Sequence, residues 1–386
     1  GEQAIARFAA AYGGDYIEGG AGREYAVGAP SLGSSTPVPE AIASLQGLPF
    51  DEFLDESYMQ LLLRSPETIT AMGLSEDLGQ RNDRLDDLSD TYLRETQALE
   101  SAVLDLLRSY DRDSLSAEQA LSFDLYEWYL DSRVRGHAFA YHDYPLHHFI
   151  GSYHWGVDGL FAEIHPLESA RDVEDYIARL SQVDDQVEQL MEGLELREEL
   201  GVNPPKFIVD LARNSLREYL SLGSTGSPAD AARRLHVYTR LDEALGQLEG
   251  LSAEQAQGFR EAALYEIEAS FIPAFLALND HLDHLATIAT PDAGAWKLPE
   301  GEAYYAYMLR LETSTGLTPA EIHELGLEEV ARIQAEMRDA LLGLGYPEEE
   351  SFRELMDRAV SDGGWFDIST QAGKDQYVAT IEAAVD

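Results

Sequence analysis

The chain has no cysteine, and only three of its 27 basic residues are lysine. Without cysteine, disulfide bonds, thiolate catalysis and cysteine-ligated zinc or iron–sulfur sites are excluded. No run approaches the roughly 18 apolar residues that span a bilayer, so the sequence predicts no membrane-spanning helix. Three patterns are also missing: a glycine-rich phosphate loop after a strand, the Gly-x-Ser-x-Gly elbow of serine hydrolases, and the His-Glu-x-x-His order of zinc peptidases.

Acidic residues outnumber basic residues by 71 to 27, which gives a formal net charge of −44. A field of this sign repels phosphate backbones and anionic membranes, so we do not expect nucleic acid as a partner. An acidic, lysine-poor surface suits high salt, where counterions screen the self-repulsion. A genome that favours arginine codons, together with solvated acidic helix faces, explains the same composition more simply.

The sequence divides into two parts of different composition. Residues 13–47 are rich in glycine, serine, proline and alanine, so we predict a flexible arm or linker over 1–47. From 48 to 386 apolar residues recur at helical spacing, which predicts a mainly α-helical body with at most a small β element. The best strand candidates are 138–141 and 304–311. The closing residues KDQYVATIEAAVD stop within a helical pattern, which favours a fragment of a longer protein.

Several helices are predicted in detail. Apolar spacing indicates one helix over 82–110 and another over 170–200. Capping boxes at Ser116, Ser252 and Thr318 predict three helix starts, because each hydroxyl has a glutamine or glutamate three residues later. Pro273 falls inside a pattern that runs from 252 to 287, and we expect it to kink that helix rather than to end it.

Histidines are concentrated between residues 137 and 154, where the chain has His137, His142, His147, His148 and His154. Zinc needs three or four ligands that converge at about 2 Å. The aromatic residues between these histidines indicate a packed segment, in which an imidazole more often hydrogen-bonds to a carbonyl group. His281 and His284 share a helix face, which we interpret as an exposed polar surface. We therefore assign no metal ligand to either group.

The most specific stretch is residues 298–337, LPEGEAYYAYMLRLETSTGLTPAEIHELGLEEVARIQAEM. It combines Leu-Pro-x-Gly, a tyrosine pair, Leu-Arg, a hydroxyl triplet, Leu-Thr-Pro and Ile-His-x-x-Gly-Leu. This combination resembles a signature of the bacterial domain-of-unknown-function family 885 (DUF885), and the resemblance extends from about residue 48 to the end. The triplet Thr313-Ser314-Thr315 departs mildly from the three threonines expected.

The resemblance implies the N-terminal portion of a zincin-like, gluzincin-type helical protein and a zinc-dependent peptidase activity in the full-length protein. In a zincin, two histidines and an acidic residue hold Zn²⁺, and a glutamate deprotonates the bound water. This sequence has no match for those residues, so we assign no catalytic or metal-binding residue and expect the chain to be inactive by itself. Family members are often described as lipoproteins, which implies a cell-envelope location and a lipid anchor near Gly1; a cytoplasmic location is left open.

A peptide substrate is the partner that the resemblance implies. We predict that Tyr304, Tyr305, Arg310, Thr313, Ser314 and Thr315 contact it, because they offer hydroxyl donors and one fixed cation in a short segment. An extended peptide would pair with this segment as with an edge strand, and the arginine would bind a carboxylate bidentately. In the alternative, the tyrosines and the arginine pack against neighbouring helices, the hydroxyls cap the next helix, and the protein is a non-catalytic helical scaffold of the cell envelope.

Overall fold

A computed structural model describes residues 36–149, 151–220, 228–363 and 366–385, and every regular element within these ranges is helical. The α-helices are α1 (Val38–Leu45), α2 (Phe50–Leu62), α3 (Pro66–Ala71), α4 (Asp90–Leu107), α5 (Ala117–Gly136), α6 (Tyr153–Gly159), α7 (Ala170–Leu180), α8 (Val183–Glu199), α9 (Lys206–Tyr219), α10 (Pro228–Ala232), α11 (His236–Leu245), α12 (Ala253–Glu266), α13 (Ile272–Ile288), α14 (Gly301–Thr313), α15 (Pro319–Gly343), α16 (Phe352–Asp362) and α17 (Gln371–Val385). The prediction of a mainly α-helical protein is confirmed.

Both strand candidates are wrong. Residues 304–311 lie within α14, and the segment 138–141 begins in a 3₁₀ turn, His137–Phe139. In α14, Tyr304 and Tyr307 are three residues apart and both contact Phe139, with ring centroids 5.5 and 5.3 Å away. This spacing puts the two rings on one side of a helix, whereas residues of odd separation face opposite sides of a strand. The shared contact of the two tyrosines with Phe139 therefore fits a helix and does not fit a strand.

The chain divides into two compact units, Gly1–Tyr307 and Met308–Asp386. The described residues of the first unit form two hydrophobic cores. The main core is built by α6 to α13 and includes a chain of aromatic contacts, in which Phe161 meets Tyr176 edge-on at 4.9 Å and Phe271 stacks on Phe275 at 4.2 Å. The N-terminal core is built by α1, α2, α4 and α5.

The last part of the predicted arm, from Val38 to Leu45, is a helix that belongs to the N-terminal core. In α1, Ala41 and Leu45 are buried, and Val38 and Ile42 pack against the same core. These residues are spaced as one face of a helix, although the surrounding composition is that of a linker. The helical body thus begins before residue 48, while residues 1–35 of the predicted arm lie outside the described residues.

Pro273 is accommodated by a local change in helix geometry. The five residues Ile267–Phe271 form a π-helical turn between α12 and α13, and Pro273 stands in the first turn of α13. Proline lacks the N–H of a helical hydrogen bond, and a π turn shifts the bonding pattern at that place. The helical path continues to Ile288, as the sequence predicts.

The helix predicted over 82–110 begins only at α4, and residues 82–88, here called the connecting segment, have no regular secondary structure. Leu85 in this segment is fully buried in the main core. Buried backbone groups need hydrogen-bond partners, and glutamine side chains from α8 and its N-cap position supply them. Gln182 bonds to Asp83 O and Leu85 N, Gln186 bonds to Asp86 O, and Gln189 bonds to Leu88 N.

Arg179 of α7 completes this set of contacts and is 0% exposed. Its guanidinium group donates to Arg84 O at 2.8 Å, Thr70 Oγ1 at 2.5 Å and His165 Nδ1 at 2.9 Å. Burial lowers the pKa of Arg179 to about 10, so the side chain keeps its charge at neutral pH. Burial and the nearby Arg179 charge lower the pKa of His165 to about 3, and its Nε2–H donates to Asp172 O.

The second unit has a small interior. Helix α15 starts at the predicted capping box, in which Thr318 Oγ1 accepts from Glu321 N and Glu321 Oε2 accepts from Thr318 N. Arg338 of α15 donates to Glu350 O at 2.8 Å, just before α16. The capping boxes at Ser116 and Ser252 in the first unit are confirmed as well. Within the described ranges, no helix is long and apolar enough to cross a membrane.

Replacing Arg179 with methionine is expected to destabilise the protein by about 3 kcal/mol, because Arg84 O and Thr70 Oγ1 would lose a buried charged donor. Arg171→Met is the matched control, since Arg171 is exposed on the same helix. Urea unfolding of the two variants measures the difference in the free energy of unfolding. Equal stabilities would show that the connecting segment does not depend on this contact.

Candidate functional site

The tyrosine pair that the sequence singles out lies on a helix and not on an edge strand. Tyr304 packs against the ring of His142 at 5.1 Å, in addition to its contact with Phe139, whereas Tyr305 is half exposed. The N–H and C=O groups within α14 are used by the helix itself. The predicted backbone pairing with an extended peptide is therefore wrong, and contact through the side chains stays a prediction.

The other predicted site residues lie toward the C-terminal end of α14, in the second unit. Thr313 Oγ1 donates to Leu309 O at 2.7 Å and accepts from Thr315 N at 3.3 Å. Ser314 has a left-handed backbone with φ of 53°, which ends the helix there. Arg310 is one turn earlier on the same helix. The structure thus gives the two threonine hydroxyls a role at a helix end, and peptide contact by these residues is a prediction that remains to be tested.

The histidines between 137 and 154 are dispersed among different partners. His137 contacts Glu100, His142 contacts Pro299 O, His147 accepts from Phe149 N, His148 faces the ring of Phe207, and His154 lies between Ser152 and Ser215. Within the described ranges, no three residues with imidazole or carboxylate side chains are grouped as metal ligands. These residues do not fit the donor set that zinc requires.

A cavity of about 700 Å³ lies in the first unit and is a candidate binding site. Its walls come from α2, α4 and α5 of the N-terminal core, from α8 of the main core, and from residues on both sides of α3. Five tyrosines and three arginines line it: Tyr58, Tyr92, Tyr129, Tyr141, Tyr153, Arg64, Arg133 and Arg197. Cavities of this size that mix aromatic surface with a few polar groups are typical of small-ligand sites.

Helix α4 forms one wall of the cavity through Tyr92, Thr96 and Glu100, which are spaced four residues apart and so share a helix face. Arg64 is held against this face and is only 5% exposed. Its Nε donates to Thr96 Oγ1 at 2.7 Å, its Nη2 donates to Tyr92 O at 3.0 Å, and its guanidinium carbon lies 3.8 Å from the centre of the Tyr92 ring. A buried cation is thereby fixed in orientation at the cavity.

The next turn of the same wall carries Glu100, which holds a second arginine, Arg133 of α5. Glu100 is buried, and its Oε1 accepts from Arg133 Nε at 2.8 Å while its Oε2 lies 2.6 Å from His137 Nε2. The carboxylate is therefore shared by two groups from neighbouring parts of the chain. This arrangement satisfies a buried charge and anchors Arg133 at the cavity surface.

The third arginine belongs to the opposite wall. Arg197 of α8 donates to Asp143 Oδ1 and, through Nη1, to Gly193 O at 3.0 Å. Its guanidinium carbon lies 5.0 Å from the centre of the Tyr141 ring, and the Tyr141 hydroxyl donates to Asp90 Oδ1. Arg197 therefore holds the 140–145 segment against α8, which is a structural role.

The acidic end of the cavity is formed by the connecting segment. Asp86 Oδ1 accepts from Glu67 N at 3.0 Å, and Asp86 Oδ2 accepts from Ser65 Oγ at 2.6 Å. Burial, together with the negative charge of Glu67, raises the pKa of Asp86 to about 7. Glu67 in turn accepts from Asp86 N and from Gln186 Nε2. Asp86 therefore changes its charge near neutral pH at the cavity wall.

These groups give the cavity both donors and acceptors beside apolar surface. Guanidinium groups can donate to carboxylates or carbonyl oxygens, carboxylates can accept from amide or ammonium groups, and tyrosine and leucine side chains can bury apolar side chains. The sequence alone assigns none of these residues to a functional site. The four-residue spacing of Tyr92, Thr96 and Glu100 is the signal that the sequence contains, but it has the appearance of an ordinary polar helix face.

One solved structure with a similar fold is a crystal structure described as "the putative lipoprotein from Colwellia psychrerythraea". The two share 19% sequence identity with a TM-score of 0.70, and the similarity covers 91% of this chain and 59% of that chain. The present chain thus spans less than two thirds of its length. At this identity the likeness shows the fold alone. The sequence matches no curated protein.

A family model described as "Bacterial protein of unknown function (DUF885)" matches residues 66–386. The match includes the 298–337 stretch and most of the helices of the first unit, and it confirms the resemblance seen in the sequence. The chain belongs to the bacterial DUF885 family.

Proposed function

We propose that this chain is the helical N-terminal portion of a zinc-dependent peptidase and that its own contribution is to bind the peptide. The observation that carries the proposal is the 700 Å³ cavity, whose wall combines five tyrosines with fixed arginine and carboxylate groups. A peptide offers apolar side chains, main-chain amides and two charged ends, and the cavity wall has a complementary group for each. The resemblance in residues 298–337 supports the peptidase class.

The connecting segment shows how this fold recognises extended main chain without a β-sheet. Its carbonyl and amide groups are bound by Gln182, Gln186 and Gln189, which follow one another along the start and first turns of α8. Side-chain amides can pair with both the N–H and the C=O of a neighbouring chain. A peptide in the adjoining cavity would meet a side-chain amide of the same set, since Gln189 also lines the cavity.

Zinc enters the proposal only through the longer proteins of the family. A peptidase zinc needs three protein ligands and an open position for water. The described residues do not supply such a set, and we derive no catalytic step through the metal. The chain's own residues bind and orient the peptide, and the ligands of the metal would lie outside these ranges.

The alternative is a non-catalytic helical binding protein of the cell envelope. The solved relative is described as a putative lipoprotein, which supports an envelope location and a lipid anchor for this chain as well. In this case the same cavity would bind a peptide or a similar ligand and release it unchanged. The two proposals share the cavity and differ in whether a longer family protein performs chemistry on the bound ligand.

We expect the purified 386-residue chain to contain far less than one zinc ion per chain and to leave peptides intact. Elemental mass spectrometry before and after chelation measures the zinc, and a quenched-fluorescence peptide library measures hydrolysis. The longer Colwellia protein serves as the comparison: zinc-dependent hydrolysis there would favour the peptidase, and its absence would favour the binding protein. Near-equimolar, chelator-sensitive zinc in the present chain would contradict the proposal.

Filling the cavity should weaken peptide binding. Ala140 lines the cavity, and Ala140→Phe is expected to weaken binding of the tetrapeptide Ala-Leu-Tyr-Ala about tenfold or more, which corresponds to about 1.4 kcal/mol. Ala138→Phe is the matched control, because Ala138 is exposed two residues earlier and is not part of the wall. Calorimetry measures both affinities. Equal affinities for the two variants would place peptide binding elsewhere.

A further inference from the structure

The α4 wall of the cavity binds two guanidinium groups from other parts of the chain, through residues that lie one helical turn apart. Arg64 is bound at Thr96 and also pairs with Glu95 at 3.4 Å, and Arg133 is bound at Glu100. Residues four apart on a helix face are neighbours, with about 6 Å between their Cβ atoms, so the two residues that hold these cations adjoin on one face of α4. Both residues line the cavity.

The Glu100 pair leaves part of Arg133 for a ligand. Arg133 Nε and Nη2 both approach Glu100 Oε1, at 2.8 and 2.7 Å, so Nη1 is not part of this pair. Glu100 also contacts His137, and its charge is therefore divided between two partners. An arginine anchored on one edge can still bind a carboxylate on its other edge, with a fixed geometry that favours planar anions.

The connecting segment places a carboxylate, that of Asp86, at the cavity wall. Within the described ranges, no arginine, lysine or histidine side chain forms an ion pair with Asp86, although this residue lines the cavity. The groups that face it are Ser65 and Glu67 at the start of α3, Arg179 from α7, and Gln186 from α8. A cationic group of a ligand would therefore give this carboxylate an ion-pair partner.

The distance between the two ends sets the length of the ligand. Asp86 precedes Ser89, the N-cap residue of α4, by three residues, so the acidic end lies toward the N-terminal end of this helix. From Tyr92 to Glu100 the helix rises about 12 Å, at 1.5 Å for each residue. An extended peptide covers about 3.3–3.6 Å per residue, so about four residues span this length.

We propose that the cavity recognises both charged ends of a short peptide, with the C-terminal carboxylate held at Arg133 beside Arg64 and the N-terminal ammonium held at Asp86. This inference rests on the proposed function and adds to it the class of ligand: unblocked peptides of about four residues. Tyr92 and Tyr129 also line the cavity and accept the side chains of the peptide.

Recognition of the ammonium group makes binding depend on pH. Asp86 has a pKa of about 7 in the free protein because it is buried and close to Glu67. An ammonium group favours the ionised carboxylate, so binding below pH 7 releases a proton. Affinity for a peptide with a free amine should therefore fall as the pH decreases through 7, while a peptide with an acetylated amine should show no such fall.

Calorimetry with four forms of Ala-Leu-Tyr-Ala tests the inference: unblocked, C-terminally amidated, N-terminally acetylated, and blocked at both ends. We expect each block to weaken binding about tenfold. Arg133→Gln should remove the difference between the free and amidated peptides. Asp86→Asn should remove the difference between the free and acetylated peptides, together with the pH dependence.

Arg108→Gln is the control for Arg133→Gln. Arg108 also forms ion pairs between α4 and α5, with Glu127 and Asp131, but it lies outside the cavity wall. This variant should retain full discrimination against the amidated peptide. Circular dichroism confirms that each variant is folded before its affinity is compared.

The outcomes separate this inference from the proposed function. If the doubly blocked peptide binds as tightly as the free peptide and Ala140→Phe still weakens both, the cavity binds peptides but the recognition of their ends is wrong. If no form of the peptide binds to the wild-type chain, both proposals fail. Equal losses of discrimination in Arg108→Gln and Arg133→Gln would overturn the assignment of the carboxylate to Arg133.

Discussion

The structure of the first unit depends on satisfying the backbone of one extended segment inside a helical protein. Residues 82–88 run along the main core, in which Leu85 is buried, without a helix or a sheet to pair their polar groups. Leaving such groups unpaired would cost about 1–3 kcal/mol each. Arg179 and the glutamines at 182, 186 and 189 remove this cost, because their side chains project from neighbouring turns onto the same segment.

The same contacts prepare the cavity. Arg179 reaches Thr70 and Arg84, on the two sides of the turn that joins α3 to the connecting segment, so it fixes Asp86 relative to Ser65 and Arg64. Gln186 links this end to Tyr153, because Gln186 Oε1 accepts a hydrogen bond from the Tyr153 hydroxyl at 2.8 Å. A binding site that is held by buried hydrogen bonds loses little conformational entropy when a ligand arrives.

The sequence predicts local features well and these long-range ones poorly. Capping boxes such as Ser116 with Gln119 and the helix that continues past Pro273 follow from interactions between neighbours in sequence. The connecting segment was predicted as helix because Leu85 and Leu88 continue the spacing of α4. Its real partners are about 100 residues away, and glutamines at helical spacing look the same whether they bind water or a buried chain.

The balance of charge in the cavity differs from that of the whole chain. Four acidic side chains, Asp86, Asp87, Glu100 and Asp143, face three arginines in its wall, whereas the chain as a whole carries a net charge of −44. The long-range field therefore favours an approaching ammonium group and opposes a carboxylate. Only short-range contacts can overcome this long-range repulsion of the carboxylate. Its proposed site therefore needs two arginines anchored on one helix face.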